Sequence, residues 1–410
     1  MGEYDLVIIG GGLVGGTLAC ALRGTGLRVC VVEAVPPRAA NQPSYDERVI
    51  ALAWGSRLIL DGIGLWKWMA AEAEPIQRIH ISDRGHFGFG RLDSRDHGVD
   101  ALGYVVPARA MGVVIHDVLD AADGVDLLCP ARVIGLRRRD EDVDLEVAVA
   151  GESRLIRTSL VVAADGGDSD IRRRLGLSVR ERDYQHDAVI TTVTPDRPQH
   201  HVAFERFTET GPLAMLPMTD GRYSVVWTAR REQTAEILGL SDAAFVTRLQ
   251  RRFGYRLGGL GRAAPRRAYP LRLLLTHETV HRRLVLIGNA AHTLHPVAGQ
   301  GFNLGLRDVA ALAEVVAGTA VQAGNIGSEQ TLDAYKRWRG SDQQQAAAIT
   351  DGLAHLFVNP WLPIRLARDA GLVGLDLIPG LGRLFARQFM GLKGRLPRLA
   401  RGLPLEVGCG

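Results

Sequence analysis

One stretch near the start of the chain, YDLVIIGGGLVGGTLACALRGTGLRVCVVEA, constrains the fold more than any other. Tyr4 to Ile9 is an apolar run of strand length. Gly10, Gly12 and Gly15 follow with GxGxxG spacing. The first glycine permits a sharp turn, the second lets a pyrophosphate approach the backbone, and the third lets a helix lie close against a sheet. Leu18, Ala19 and Leu22 form the apolar face of that helix, and Gly26 is its stop. Leu27 to Val32 is a second strand, and Glu33 ends it with a carboxylate able to accept from a ribose diol. Glycine-rich structural turns share the bare spacing. A strand–turn–helix–strand unit with an acid about 20 residues on makes it a dinucleotide site. The pattern alone leaves FAD and a nicotinamide cofactor both open.

At 410 residues the chain exceeds what one small core needs, which points to two domains, one of them split in sequence. The segments IQRIHISDR and HFGFGRLDS read as strands. ALGYVVPARAMGVVIHDVLDAA gives an extended piece and a helix with Arg109 at its start. The stretch from VDLLCPARV to LIRTSLVVAADG alternates between turn residues, as an antiparallel meander does, and closes on a parallel-type run. Asp165 ends that run and faces a ligand crevice, or serves as a turn residue. Between about Val179 and Val280 alternating strands surround one helix, DAAFVTRLQRRFG. The expected organisation is α/β: a Rossmann-like domain over 1–75, 99–178 and 281–345, with a mostly antiparallel β-sheet substrate domain over 76–98 and 179–280. A C-terminal helical region covers 346–410.

A second glycine-rich stretch, LVLIGNAAHTLHPVAGQGFNLGLRD, places two tight turns and a helix start close together, far from the first motif. It reads as a pocket wall or as a packing turn. His292 and His295 are acid–base candidates, and structural roles fit their spacing as well. Arg48, ahead of a helix with Leu58, Ile59 and Ile63, reaches a phosphate or is a solvated surface arginine.

Other classes fit poorly. Net charge is +4, and Lys67, Lys336 and Lys393 are the only lysines, so the basic charge is arginine. No zinc-finger spacing or aromatic–basic interleaving marks a nucleic-acid binder. Cys20, Cys30, Cys129 and Cys409 are scattered without a CxxC pair, so neither a metal site nor a disulfide framework is expected. No signal-peptide pattern or membrane-spanning run is seen. The expectation is a cytoplasmic protein, with peripheral contact at the inner face of the cell membrane left open.

Three signatures spread over most of the chain resemble one family. They are GGGLVGG with Glu33, VVAADGGDSDIRRRLGL, and LIGNAAHTLHPVAGQGFNLGLRD. The chain resembles FAD-dependent aromatic hydroxylases of the para-hydroxybenzoate hydroxylase type, and within them the ubiquinone-biosynthesis hydroxylases. The resemblance implies FAD as the cofactor, NAD(P)H as a transient co-substrate and O2 as the oxidant, through a flavin hydroperoxide. The implied reaction converts 2-polyprenyl-6-methoxyphenol to 2-polyprenyl-6-methoxy-1,4-benzoquinol. Its alternatives are another ring position, a small soluble aromatic substrate, or a flavoprotein scaffold without turnover. Arg48 and Arg109 fall where the family places arginines near the cofactor. Asn289 would lie by the ribityl chain, with Pro296, Gly299, Gly301 and Asn303 around the flavin ring. His295, Pro296, Gly299 and Gln300 are candidates at the flavin edge, and no catalytic base is assigned. Two departures stand out. Asn289 replaces the usual aspartate, and Ala108 replaces a polar residue before Arg109.

A polyprenylated phenol implies an apolar channel. YPLRLLL and GPLAMLPM are its candidate walls, and they are equally good core strands. The tail from DGLAHLF onward mixes Leu, Phe and Trp with arginine in short amphipathic pieces. Membrane contact, association with other ubiquinone-biosynthesis proteins, and packing against the FAD domain all suit it.

Overall fold

A computed structural model describes residues 2–36, 48–295, 299–358 and 361–406. The chain begins with β1 (Gly2–Ile9), α1 (Leu13–Ala21) and β2 (Val29–Val32). Leu6, Val7 and Ile8 are wholly buried, so β1 is covered on both faces, as a central parallel strand must be. Next come β3 (Val49–Ala53), α2 (Trp54–Gly62), α3 (Trp66–Met69), β4 (Glu74–Ile76), β5 (Arg78–Asp83), β6 (Phe89–Asp93), β7 (Gly103–Pro107) and α4 (Ala108–Asp120). β8 (Val125–Leu128), β9 (Ala131–Arg138), β10 (Val143–Val149), β11 (Glu152–Ala163) and α5 (Asp170–Arg174) follow.

These segments build the first sheet, in the order β18 (Val280–His281), β19 (Leu284–Leu286), β11, β1, β2, β8. From β19 to β8 neighbours run parallel. Helices α1 and α4 and the long α8 (Gln300–Val321) fill one face with a large apolar cluster that includes Leu18, Ile115 and Val309. Among the described residues the other face has no helical layer of that kind. β9 and β10 turn back from β11 and lay Val133, Val143 and Leu145 over Val7, Cys30 and Val32. The expected meander is therefore also the second covering layer of the sheet.

The second sheet contains β12 (Val179–Pro195), β13 (Val202–Thr208), β14 (Gly211–Pro217), β15 (Tyr223–Arg230), β16 (Leu260–Ala263), β17 (Arg267–Thr276) and β20 (His292–Thr293), joined by β5 and β6. All its pairings are antiparallel except β13 with β5. One face packs Trp227, Phe204 and Leu213 against Phe245 and Phe253 of α7 (Asp242–Phe253). Helix α6 (Arg231–Gly239), absent from the sequence reading, precedes α7. It is mostly polar and buries only Thr234 and Ile237. A small third sheet, β3–β7–β4, bridges the two large ones.

Helices α9 (Glu329–Val358), α10 (Leu362–Leu377) and α11 (Pro379–Phe389) follow, after which Leu399 and Ala400 return to the core of the first domain. α9 is continuous across residue 345. The segment QQQAAA there is made of good helix formers without a breaker. Leu372 and Met390 face β5 and β6, so the tail packs on the second sheet rather than on the first domain alone. Its outer side exposes Leu366, Leu377, Ile378 and Leu384.

Candidate functional site

The first glycine turn is dictated by space. Gly10 has φ +100°, and a β-carbon there would lie 2.5 Å from the Ala164 carbonyl oxygen. At Gly15 it would lie 1.9 Å from the Gly10 carbonyl oxygen. No side chain fits either place, so the end of β11, the turn and α1 pack backbone to backbone. Gly12 caps α1 without a side-chain hydrogen bond, and the helix's first turn has no acid. Its leading N–H groups are therefore left to an anion. Glu33 accepts from the N–H of Gly11 at 2.6 Å and from that of Val35 at 2.7 Å.

Asp165 stands beside this turn. One carboxylate oxygen accepts from the Ile171 N–H at 3.1 Å. The other, Oδ1, is buried and has no hydrogen-bond partner among the described residues. Leaving such an oxygen unpaired costs roughly 1–3 kcal/mol, and a donor from a bound molecule removes that cost. A ribose or ribityl hydroxyl is such a donor, and the neighbouring helix start suits a pyrophosphate. These residues fit FAD. Arg172, buried on α5, donates to the carbonyls of Gly167 at 2.6 Å and Ala290 at 2.9 Å. It ties the Asp165 loop to the turn after β19. Burial draws its pKa down, partly opposed by Asp165 and Asp168.

That second turn is held by a buried carboxylate. Asp308 of α8 is completely enclosed. It accepts from the Gly288 N–H at 3.2 Å, Arg339 Nε at 2.9 Å and Gln343 Nε2 at 2.9 Å, and its Oδ2 lies 2.6 Å from His292 Nε2. Burial alone would raise its pKa. The charges of His292 and Arg339, with hydrogen bonds from His292 and Gln343, outweigh that and hold it well below the usual carboxylate range. Gly288 has φ +57°, and β-carbons on Gly288 and Gly305 would meet Val14 of α1 at 3.1 and 3.0 Å. The start of α1, the Gly288 turn and α8 thus converge on one point.

The remaining expected residues divide. Asn289 borders the large cavity, as do Gly299, Gln300, Gly301 and Asn303. Gly299 has φ +62° and opens α8, whose first turn has neither acid nor side-chain cap. Negative charge near that helix end is favoured. Asn303 spends its amide on the main chain, accepting from Ala53 N–H and donating to the carbonyls of Ala51 and Gly299. It fixes β3 against the start of α8. Gln300 donates weakly to Phe389 at 3.4 Å. Arg48 borders the cavity with its guanidinium 4.8 Å from the Tyr269 ring. Arg109 pairs with Glu72 at 2.7 Å on an exposed surface. His292 is committed to Asp308. His295 is buried edge-on against Tyr184 at 5.0 Å and is not part of the cavity wall. Pro296 lies outside the described residues.

The cavity has a volume of about 680 Å³. Asn289 and the start of α8 line it, as do Leu353, Leu372, Phe385 and Met390 of the C-terminal region. The two candidate strands contribute alternate residues: Pro212, Ala214 and Leu216 from one, Tyr269 and Leu271 from the other. Leu213 and Met215 face the opposite core, so both expected roles are present, one on each face. Among the described residues no cluster of three or more His, Cys, Asp or Glu could hold a metal ion, and no helix is long and apolar enough to cross a membrane.

Comparison with known proteins agrees with this geometry. Residues 3–350 match the family model described as FAD binding domain. The chain is 39% identical over 404 residues to the ubiquinone hydroxylase UbiL of Rhodospirillum rubrum, covering 98% of this chain and 93% of that protein. It is 31% identical over 394 residues to the 3-demethoxyubiquinol 3-hydroxylase of Escherichia coli, covering 95% and 98% respectively. Among solved structures, p-nitrophenol 4-monooxygenase PnpA of Pseudomonas putida superposes with a TM-score of 0.80 over 96% of this chain and 100% of that one. At 21% identity this last likeness speaks for the fold.

Proposed function

The chain belongs to the FAD binding domain family, among its FAD-dependent aromatic monooxygenases, and from that premise we propose that it hydroxylates a polyprenylated phenol of ubiquinone biosynthesis. The observation that carries the substrate class is the cavity. It is bordered by the start of α8, where the family's flavin ring would lie, and by the apolar C-terminal helices, and its wall is mostly hydrocarbon. A phenol with an isoprenoid tail matches that lining better than a small polar aromatic does. Within that class the substrate we propose is 2-polyprenyl-6-methoxyphenol, the one the resemblance implies.

In this reading Gly10, Gly12 and Gly15 bring the start of α1 to the pyrophosphate, and Glu33 and Asp165 accept from sugar and ribityl hydroxyls. Asn289 supports the ribityl chain, while Arg48, Gly299 and Gly301 border the ring. Asn303 sets the α8 start through β3. FAD, reduced by NAD(P)H, supplies the activation of O2. The protein's part is to orient the phenol and exclude water from the reacting end. The free N–H groups at the α8 start stabilise negative charge there.

The exposed leucines of α10 and α11 lie beside Arg383 and Arg387. They suit peripheral contact with an anionic membrane surface, from which a lipid-like substrate would come. Purified protein loaded with FAD should consume NAD(P)H faster when a prenylated phenol is added, with product formed in step. Cells lacking the protein should accumulate its phenol, identified by mass spectrometry. Accumulation of another precursor would move the ring position, and an unchanged quinone profile would end the ubiquinone assignment.

A further inference from the structure

The cavity wall is interrupted by one carboxylate. β13 borders the cavity through Ala203, Phe204, Glu205 and Phe207, and the Phe204 ring also packs into the α7 core 5.5 Å from Phe253. The cross-strand neighbours of Glu205 are Ile81 on β5 and Ala214 on β14, and both are cavity residues. Glu205 forms no hydrogen bond or ion pair among the described residues. Glu205 is half-buried, and its carboxylate oxygens are accessible from the cavity.

Other charged and titratable side chains around the cavity do not neutralise it. Arg48, ahead of β3, lies against Tyr269 of β17. Arg368 of α10 is ion-paired with Asp83 of β5. Burial therefore acts on Glu205 unopposed and pushes its carboxyl up to about 7. For packing alone a leucine would serve better, because an unpaired buried acid is costly.

We propose that Glu205 receives the phenolic hydrogen of the substrate, first as a hydrogen bond and then as a proton when the ring is oxygenated. This rests on the reading of the site as a phenol hydroxylase. As the O–H proton passes to the carboxylate, the electron pair it leaves raises the ring's nucleophilicity. The ring carbon then forms its bond to one oxygen atom derived from O2 as the O–O bond breaks, the other oxygen leaves as water with the two electrons that NAD(P)H supplied, and the phenolic oxygen becomes a ketone. Loss of the hydrogen on that carbon restores aromaticity, and the proton held by Glu205 returns to the ketone oxygen. The base is regenerated, and the only oxidant is the O2 that the monooxygenase reaction already consumes. A carboxyl poised near neutrality is better matched to a phenol than an ordinary glutamate.

The test compares 6-decyl-2-methoxyphenol with its O-methyl ether, titrated into FAD-loaded protein at pH 6 and pH 8.5. The wild type should prefer the phenol by roughly 10–100-fold at pH 8.5, the range of a charge-assisted hydrogen bond. The preference should shrink towards pH 6 with a midpoint near 7. Glu205→Gln should show less than about threefold preference at either pH, and its hydroxylation should fall roughly 100-fold and lose the limb near pH 7. Glu205→Asp should restore part of both, and it is the variant read if the glutamine form fails to load FAD. Unaltered preference and pH profile in these variants overturn the assignment. Discrimination that depends on Glu205 without any oxygenated product would instead overturn the hydroxylase reading and leave the contact standing.

Discussion

Replacing Asp308 by Asn tests whether the site is assembled by its buried charge network. In the native protein Asp308 compensates Arg339, which is itself buried. Asn keeps the shape but removes the charge, and its amide nitrogen would face donors. Breaking a buried pair from one side costs about 3–5 kcal/mol, because the partner charge stays behind. Asp342 also pairs with Arg339 and softens the loss, which places the expectation at the lower end. Unfolding entropy near 2.1 cal/mol/K per residue gives about 0.9 kcal/mol/K for 410 residues. A loss of 3–4 kcal/mol then lowers Tm by about 3–5 °C. The sign with pH follows from the depressed pKa. The contribution is complete above the unfolded value near 4 and is lost only as pH falls through the lower folded value. The deficit should therefore be fully present at pH 7 and shrink in acid. Differential scanning fluorimetry with and without FAD reads both stability and site. Because Gly288 loses its acceptor, the Tm increase produced by FAD should also fall. A Tm change below 1 °C with an undiminished FAD response would refute the claim that this network holds the turn.

Gly15→Ala should abolish flavin absorbance in the purified protein, since the added carbon has backbone 1.9 Å away. Gly318→Ala, in open space on α8, should load FAD normally and gain up to about 1 kcal/mol in stability. Ala214→Trp, on the cavity wall, should lower kcat/KM for long-tailed phenols at least tenfold more than for short ones; equal losses would place the tail elsewhere. Leu377→Asp with Leu384→Asp should weaken co-sedimentation with anionic vesicles at unchanged Tm, because both side chains are exposed. Undiminished lipid association would sink the membrane reading.

What the sequence reveals here is what local chemistry decides. The Gly10–Gly15 turn is legible because strand, glycines and helix are contiguous and each glycine answers a steric demand within the unit. The strands of the second sheet are legible because one face is packed and the other borders the cavity, which imposes alternation. Arg172 is harder to read. It sits in a run of three arginines, and only the closure of the Gly167 loop onto Ala290 separates it from its exposed neighbour Arg173. The Asp308 network joins residues 16 to 35 positions away across the Gly288 turn, α8 and α9, a separation with no local period. His292 looks like an acid–base candidate from its type and neighbourhood. Its geometry makes it a tie to Asp308 instead, a distinction that depends on a partner sixteen residues away. Glu205 lies inside HHVAFERF, where alternation places it on the cavity face, but strand pattern cannot say that Ile81 and Ala214 leave it unpartnered. The resemblance could name the cofactor because three distant motifs share one ligand. The acid in the wall becomes visible only when two other strands are placed beside it.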